Sequence, residues 1–195
     1  MDHQRTLSPS PFPGDDGLAD PAVRRDLAGA MTGDVQDYLR AVASLCRARL
    51  MVPVVATATS TAAAQQHAGV DALLTVDKEA DMAVVMLQAA DGRKALLGFT
   101  GLDSLTTWQA DARPVPVTLD LAARSAVAEQ ATALIIDMQG PHPLVIDGEV
   151  LEHLAAGHRL VELPPEPELE GGGFGWVVQE PESDSDQVDQ ESGTD

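Results

Sequence analysis

Five histidines carry the most versatile side-chain chemistry in this chain, because imidazole binds transition metals and exchanges protons near neutral pH. Their spacing fits no established ligand pattern. His153 and His158 are five residues apart and separated by a glycine, so they do not share the helical face that an HExxH pair uses to bind zinc. His142 lies in a proline-flanked turn, five residues from each of Asp137 and Asp147, and these three side chains could converge on a metal. Three candidate ligands in one loop do not define a metal site, so structural or solvated histidines are predicted.

Nucleophilic catalysis has one candidate thiol, Cys46, which lies on the apolar stripe of a predicted helix. A buried thiol with no neighbour to activate it packs as a small hydrophobic side chain. The sequence contains no GxSxG elbow, no phosphate-binding Walker loop and no GxGxxG that follows a strand. The glycine-rich stretch Gly171–Gly175 lies in a predicted tail, where it is interpreted as a linker. These patterns favour a non-enzyme with no catalytic residue, no metal and no cofactor, and an enzyme stays open as the alternative.

Charge and hydropathy exclude two further classes of partner. The 195 residues include 31 Asp and Glu against 12 Lys and Arg, a formal charge of -19. Such a charge repels phosphate backbones, so nucleic-acid binding through a basic face is not expected. Apolar runs such as 82–87 are far shorter than the ~20 residues that span a bilayer, so no membrane insertion is expected. The N-terminus has acidic residues and prolines where a secretory signal needs a basic and then an apolar stretch, which favours a cytoplasmic location.

Composition divides the chain into a central domain and two tails. Residues 162–195 hold eleven acidic side chains and no Lys or Arg, together with many Pro, Gly and Ser. A segment of this kind buries too little apolar surface to offset the entropy of ordering. We therefore expect a disordered N-terminal tail over 1–19, one folded domain over 20–161 and a disordered acidic tail over 162–195.

Apolar periodicity predicts the first elements of the domain. After a short helix that begins at Asp20, helical spacing recurs over 34–49, with Arg49 on the outer face. A strand follows over 50–56, and residues 57–78 show no period and are expected to form a long excursion. Two apolar runs within 81–98 flank Asp91-Gly92, a pair that favours a hairpin turn.

The second half of the domain alternates helices with short strands. A helix capped by Thr100 is expected to bury Leu102, Leu105 and Trp108, and a helix that begins at Thr118 is expected to bury Val127. The other predicted elements are an extended stretch over 112–117, strands over 133–136 and 144–146, and a helix capped by Asp147. This order predicts an α+β fold, a single compact domain with helices packed on a mixed or mainly antiparallel sheet.

Four stretches of the sequence together resemble one protein family. They are RLMVPVVA, DKEADMAVVMLQAADGRKALLGFTGLDSLTTW, ARPVPV and ALIIDMQGP. In these stretches the chain is similar to the SseB N-terminal-domain family of bacterial cytoplasmic proteins. The more specific elements are Val52-Pro53, Phe99-Thr100 followed by Trp108, and the turn over 137–141. The resemblance implies a fold and a compartment, whereas the family name records enhanced serine sensitivity, a phenotype that assigns no catalytic residues.

Two functional hypotheses follow from these patterns. The first is a non-enzymatic interaction or regulatory module, in which Phe174, Trp176 and Val177 form an apolar island that binds a protein partner as a short linear motif or docks on its own domain. The second is a small-metabolite-binding protein or an enzyme whose site lies near Thr100 and the loop over 137–142, with Thr100, Asp137 and His142 as its residues. The identity of the partner and the oligomeric state have no signal in the sequence.

Overall fold

The computed structural model describes residues 12–56, 72–76, 82–164 and 173–178. The helices are α1 (Pro21–Ala30), α2 (Val35–Leu45), α3 (Leu102–Trp108), α4 (Leu119–Ala128) and α5 (Gly148–Ala155). The strands are β1 (Arg49–Ala56), β2 (Ala72–Val76), β3 (Met82–Ala89), β4 (Lys94–Gly98), β5 (Arg113–Thr118), β6 (Ala133–Ile136), β7 (Leu144–Asp147), β8 (His158–Leu163) and β9 (Gly173–Val178). Over these residues, none of the helices is both long and apolar enough to cross a membrane.

Seven strands form one mixed sheet in the order β5-β1-β3-β4-β6-β7, with β2 also paired to β3. Strands β4 and β6 run parallel, and the other pairings of this sheet are antiparallel. Strands β8 and β9 form a separate two-stranded sheet. The hairpin predicted at Asp91-Gly92 is confirmed by the β3–β4 pair, and the helices packed on a mixed sheet confirm the predicted α+β fold.

Two apolar clusters lie on opposite faces of the main sheet. Successive strand residues point to opposite faces, so Leu96 joins the larger cluster with α1, α2, α4 and α5, while Leu97 joins the smaller cluster with α3. The smaller cluster contains Phe99 and Trp108, whose ring centroids lie 5.3 Å apart. Each face of the sheet therefore has its own core.

The first two helices begin where their capping residues predict. The Asp20 side chain accepts a hydrogen bond from the Ala22 N–H at 2.7 Å and so caps α1. Asp34 caps α2 in the same way. Helix α2 ends at Leu45, before the predicted end, because the chain turns there to enter β1. Arg49, predicted on the outer face of a helix, instead begins this strand.

Two side chains predicted to face the core lie at the surface. Leu102 is 37% exposed and Val127 is 46% exposed. In an α-helix with 3.6 residues per turn, each of them lies about a quarter to a third of a turn from the centre of the buried stripe of its helix. Leu105 and Trp108 are buried as predicted, so the error concerns the width of the buried face and not its direction.

Short stretches of the predicted tails belong to the described structure. Residues 12–19 pack over the start of α3, where the Leu102 N–H donates to the Gly17 carbonyl at 2.8 Å. Gly17 has a φ of 80°, a left-handed conformation that glycine adopts without strain. Residues 162–163 and 173–178 belong to β8 and β9. Composition misses these segments because their order depends on surfaces that other parts of the chain supply.

Strand β2 was also not predicted. It lies within the excursion expected over 57–78, and its backbone pairs antiparallel with β3 over five residues. The rest of that excursion lies outside the described residues, as do 1–11, 165–172 and 179–195 of the predicted tails. A run of only five residues carries little local signal, so pairing with β3 decides its structure.

Candidate functional site

A buried polar site lies where two neighbouring strands end. Strands β4 and β6 run parallel, so their carboxyl ends meet at one edge of the sheet. Thr100 follows β4, and Asp137 directly follows β6. The Asp137 N–H donates to the Gly98 carbonyl at 2.9 Å and extends the pairing by one hydrogen bond. Thr100 and Asp137 are thereby brought together although they are 37 residues apart in the sequence.

Asp137 is almost fully buried, and its carboxylate accepts three hydrogen bonds. They come from the Thr100 N–H at 2.9 Å, the Thr100 hydroxyl at 2.6 Å and the Ser104 hydroxyl at 2.6 Å. The backbone of Asp137 has a φ of 48°, in the left-handed region that Asp and Asn tolerate better than most residues. Residue type and backbone conformation therefore agree at this position.

Arg24 of α1 supplies a positive charge beside this buried carboxylate. Its Nε donates to the Thr100 hydroxyl at 2.7 Å and lies 3.5 Å from Asp137 Oδ2. Its Nη2 donates to Asp103 at 2.8 Å. A carboxylate buried without such partners would destabilise the fold by several kcal/mol. We refer to Arg24, Thr100, Ser104 and Asp137 as the Asp137 cluster.

A second arginine, Arg49, binds the N-terminal loop next to this cluster. Arg49 donates from Nε and Nη2 to the two carboxylate oxygens of Asp15 at 2.8 and 2.9 Å, which is a two-point ion pair. It also donates to the carbonyls of Thr100 and Leu18. The hydrogen bonds from Arg49 hold the pKa of Asp15 below its ordinary value. The loop before α1 is therefore tied to the ends of β1 and β4.

A cleft of about 460 Å³ opens beside the cluster, with Asp15, Asp16, Asp20, Arg49 and Thr100 among its walls. Each of the three carboxylates has a local role. Asp15 holds Arg49, Asp16 accepts a hydrogen bond from a backbone N–H two residues on, and Asp20 caps α1. Throughout the described residues, every buried side-chain nitrogen or oxygen has a hydrogen-bond partner. The described walls of the cleft therefore offer a ligand no unpaired buried polar group.

The structure brings together two of the three residues predicted for a ligand site. Thr100 and Asp137 are in direct contact. Thr100 does not cap α3 as predicted, because Gly101 occupies the N-cap position and the Thr100 hydroxyl donates to Asp137 instead. His142 is half-buried, and among the described residues it makes no hydrogen bond or ion pair with either of them.

Three polar residues of this site were not predicted: Arg24, Arg49 and Ser104. Ser104 lies one helical turn after Thr100, a spacing that could have indicated it. The two arginines reach Thr100 across 76 and 51 residues of sequence, so no local pattern points to them. Within the described ranges, no group of three or more His, Cys, Asp or Glu side chains is placed to hold a metal ion.

The second candidate site is the β8–β9 sheet, which we call the aromatic hairpin. Phe174 and Trp176 are partly buried and pack against the larger core cluster. Trp176 lies opposite the buried Leu160 of β8, and its ring stacks on that of His153 with centroids 4.6 Å apart. Val177 points to the other face of the hairpin and is 46% exposed. The two aromatic residues of the predicted motif thus contact their own domain.

Two titratable side chains of the same region are held in their neutral forms. Cys46, at the end of α2, is partly buried, and burial raises the pKa of its thiol. A protonated thiol is a poor nucleophile, which favours a packing role. Burial, together with the negative charge of Asp147, raises the pKa of Tyr38 to about 12.

Comparison with known proteins identifies the family of the domain. The family model described as the SseB protein N-terminal domain matches residues 23–153. This range holds the main sheet and the whole Asp137 cluster, and it ends before the aromatic hairpin. Searches among curated proteins and among solved structures found no match. Because the family match covers more than half of the chain, the chain belongs to the family of the SseB protein N-terminal domain.

Proposed function

We propose that this SseB-family chain is a non-enzymatic interaction or regulatory module whose partner-binding element is the aromatic hairpin. The observation that carries the proposal is the position of Phe174 and Trp176 on a two-stranded sheet that is separate from the main sheet. A two-stranded sheet is marginally stable on its own. Strand β9 is therefore held largely by two aromatic side chains packed on the domain, and a partner surface can compete for them.

The partner that suits this element is a protein with an apolar groove and a basic rim. Phe174 and Trp176 supply aromatic anchors, which contribute most of the binding energy in small interfaces. Residues 179–195 carry seven acidic side chains and no Lys or Arg. Acidic flanks steer the motif toward a basic surface. Because opening the hairpin costs free energy, the affinity is expected to be modest and to weaken with added salt.

The Asp137 cluster supports the non-enzymatic part of the proposal. A catalytic site keeps polar groups available to a substrate, whereas the Asp137 carboxylate is engaged by Thr100, Ser104 and Arg24. We assign the cluster the structural role of joining α1 and α3 to the ends of β4 and β6. Cys46, the single cysteine, has no partner in the chain for a disulfide, which favours a reducing, cytoplasmic setting.

Partner recovery from cell lysate tests the interaction function. The intact chain is compared with two variants. One is a double variant that carries both Phe174→Ala and Trp176→Ala, and the other carries Val178→Ala alone. All three chains are checked for folding by NMR. Val178 is the matched control because it lies on the same strand and is 66% exposed. We expect the double variant to lose partners that the intact chain and the control retain. Identical partner sets for all three chains would remove the hairpin as the binding element.

One observation favours a second function, the binding of a small metabolite. The cleft beside Arg49 and Thr100 has a volume within the usual range of ligand sites. A thermal-shift scan with amino acids, nucleotides and divalent metals tests this function, because a ligand that binds only the folded state raises the Tm. The interaction proposal predicts no shift. A concentration-dependent rise in Tm would instead establish ligand binding by the folded domain.

A further inference from the structure

Two histidines meet at the point where the aromatic hairpin packs on the domain. His153 of α5 and His158 of β8 place their Nδ1 atoms 2.9 Å apart, and both side chains are partly buried. They do not share a helical face, as predicted, because His158 lies on a strand. The turn at Gly157, with a φ of 86°, nevertheless brings the two rings together. The pair directly adjoins Trp176, whose ring stacks on His153.

The geometry of the pair is that of a hydrogen bond between two imidazoles. Their ring centroids are 5.2 Å apart, which is close to the 2.9 Å between the nitrogens plus the radii of the two rings. The Nδ1 atoms therefore face each other along the line that joins the rings. To bind a metal ion, both lone pairs would have to converge on a third point beside that line. The observed arrangement suits a proton between the nitrogens rather than a metal.

The number of bound protons decides whether this contact is attractive. When both rings are neutral, one Nδ1–H donates to the other Nδ1. One additional proton makes the donor an imidazolium, which strengthens the hydrogen bond, and the face of Trp176 stabilises that cation on His153. When both rings are imidazolium, each Nδ1 carries a proton. Two donors and two like charges then face each other at short range, and the contact becomes repulsive.

We propose that His153 and His158 form a proton-sensitive latch that holds the aromatic hairpin closed and releases Trp176 on acidification. The closed pair accommodates one added proton, whereas the separated histidines accommodate two. A difference of one proton lowers the ratio of closed to open hairpin tenfold per pH unit once both open histidines are charged. The latch requires no partner and does not depend on the proposed function.

The elements that pack around His153 and His158 carry charged groups, and these contribute to the electrostatic field at the two rings. Strand β9 carries none within its six residues. The groups on the other elements are Glu149 and Glu152 on α5, Asp120 and Arg124 on α4, Asp147 on β7, Arg159 and Glu162 on β8, and Asp37 and Arg40 on α2, beside the neutral Tyr38 and Cys46. Arg40 lies 3.6 Å from Glu162, and an Arg124 nitrogen lies beside the Gly157 turn.

Fluorescence quenching of Trp176 in the intact chain tests the latch. The chain has two tryptophans, so the signal of Trp176 is the difference between the wild type and a Trp176→Phe variant. Accessibility to acrylamide is followed from pH 8 to pH 5. In the wild type we expect it to rise as the pH falls, by up to tenfold per pH unit. The remaining tryptophan, Trp108, is buried and reports whether the core stays folded.

The matched control is His158→Asn, because an asparagine amide keeps a hydrogen-bonding group near the Nδ1 position but does not gain a charge. Its Trp176 accessibility is expected to stay constant over the same pH range. His153→Asn provides the second variant if the first does not fold. A wild-type signal that does not change with pH would overturn the latch. An equal pH response in the wild type and a folded asparagine variant would also overturn it, because other groups would then drive the opening.

Discussion

Replacement of Asp137 by asparagine is expected to destabilise the fold by about 3 kcal/mol. Asparagine keeps the shape of the side chain and tolerates the left-handed backbone at this position. The change therefore removes the charge and converts one acceptor into a donor. Because the carboxylate accepts hydroxyl protons from both Thr100 and Ser104 at 2.6 Å, one of these hydroxyls loses its acceptor.

The magnitude follows from the contacts that change. A hydrogen bond to a charged group contributes about 1.5–3 kcal/mol, and at least one such bond to Asp137 is lost. Arg24 loses the charge that lies 3.5 Å from its Nε, although it keeps Asp103 and is 20% exposed, so this loss is partial. The sum of about 3 kcal/mol corresponds to a decrease in Tm of about 10 °C for a domain of this size.

Thermal and urea unfolding, followed by circular dichroism, measure this effect. Asp111→Asn is the matched control, since Asp111 is exposed and its replacement is expected to change stability by less than about 0.5 kcal/mol. An aspartate held in place for catalysis or ligand binding often gives the opposite sign, because function is built at the expense of stability. An Asp137→Asn chain as stable as the wild type, or more stable, would refute the structural role of the cluster.

Three further results are expected from stability and titration experiments. Leu45→Ala should lower the free energy of unfolding by about 2–5 kcal/mol, since Leu45 is fully buried. Leu121→Ala, at a 44% exposed site, is the control and should change it little. Similar losses for the two variants in urea unfolding would contradict the assigned core. The Cys46 thiol should react with a disulfide reagent more slowly in the folded than in the unfolded chain, because burial raises its pKa, and equal rates would contradict this burial. Tyr38, the single tyrosine, should ionise near pH 12 in alkaline absorbance titration. Its raised pKa means that its stabilising contribution is present below pH 10 and is lost as the pH rises toward 12, and ionisation at its ordinary value of 10.0 would be the contrary result.

Helices and turns were predictable where the residues that cap or form them are close together in the sequence. Asp20 and Asp34 cap helices through backbone groups two residues away, and Asp91-Gly92 forms its turn within a few residues. The burial of residues at the edges of a helix face was harder to predict. Leu102 and Val127 are apolar and periodic, but tertiary packing decides how wide each buried stripe becomes.

The candidate sites were predictable only in part, because long-range contacts complete them. Thr100 and Asp137 each follow an apolar strand, and parallel pairing of those strands joins them. Arg24 enters from a helix near the N-terminus, which no local pattern indicates. Strand β9 was not predicted, because the sequence around it is acidic and rich in glycine. Its order comes from contacts with His153 and Leu160, which lie earlier in the sequence.

Locking the aromatic hairpin tests most directly whether it opens to bind a partner. Val161 and Gly175 lie opposite each other on β8 and β9, so cysteines at both positions can form a disulfide in a Cys46→Ala chain. The three atoms that a side chain at Gly175 would meet first all belong to the side chain of the exposed Leu163. Partners are then recovered from lysate with the oxidised and the reduced chain, while Phe174 and Trp176 remain intact in both. The proposed function predicts that the reduced chain binds partners that the oxidised chain does not, and equal recovery by the two forms would contradict it.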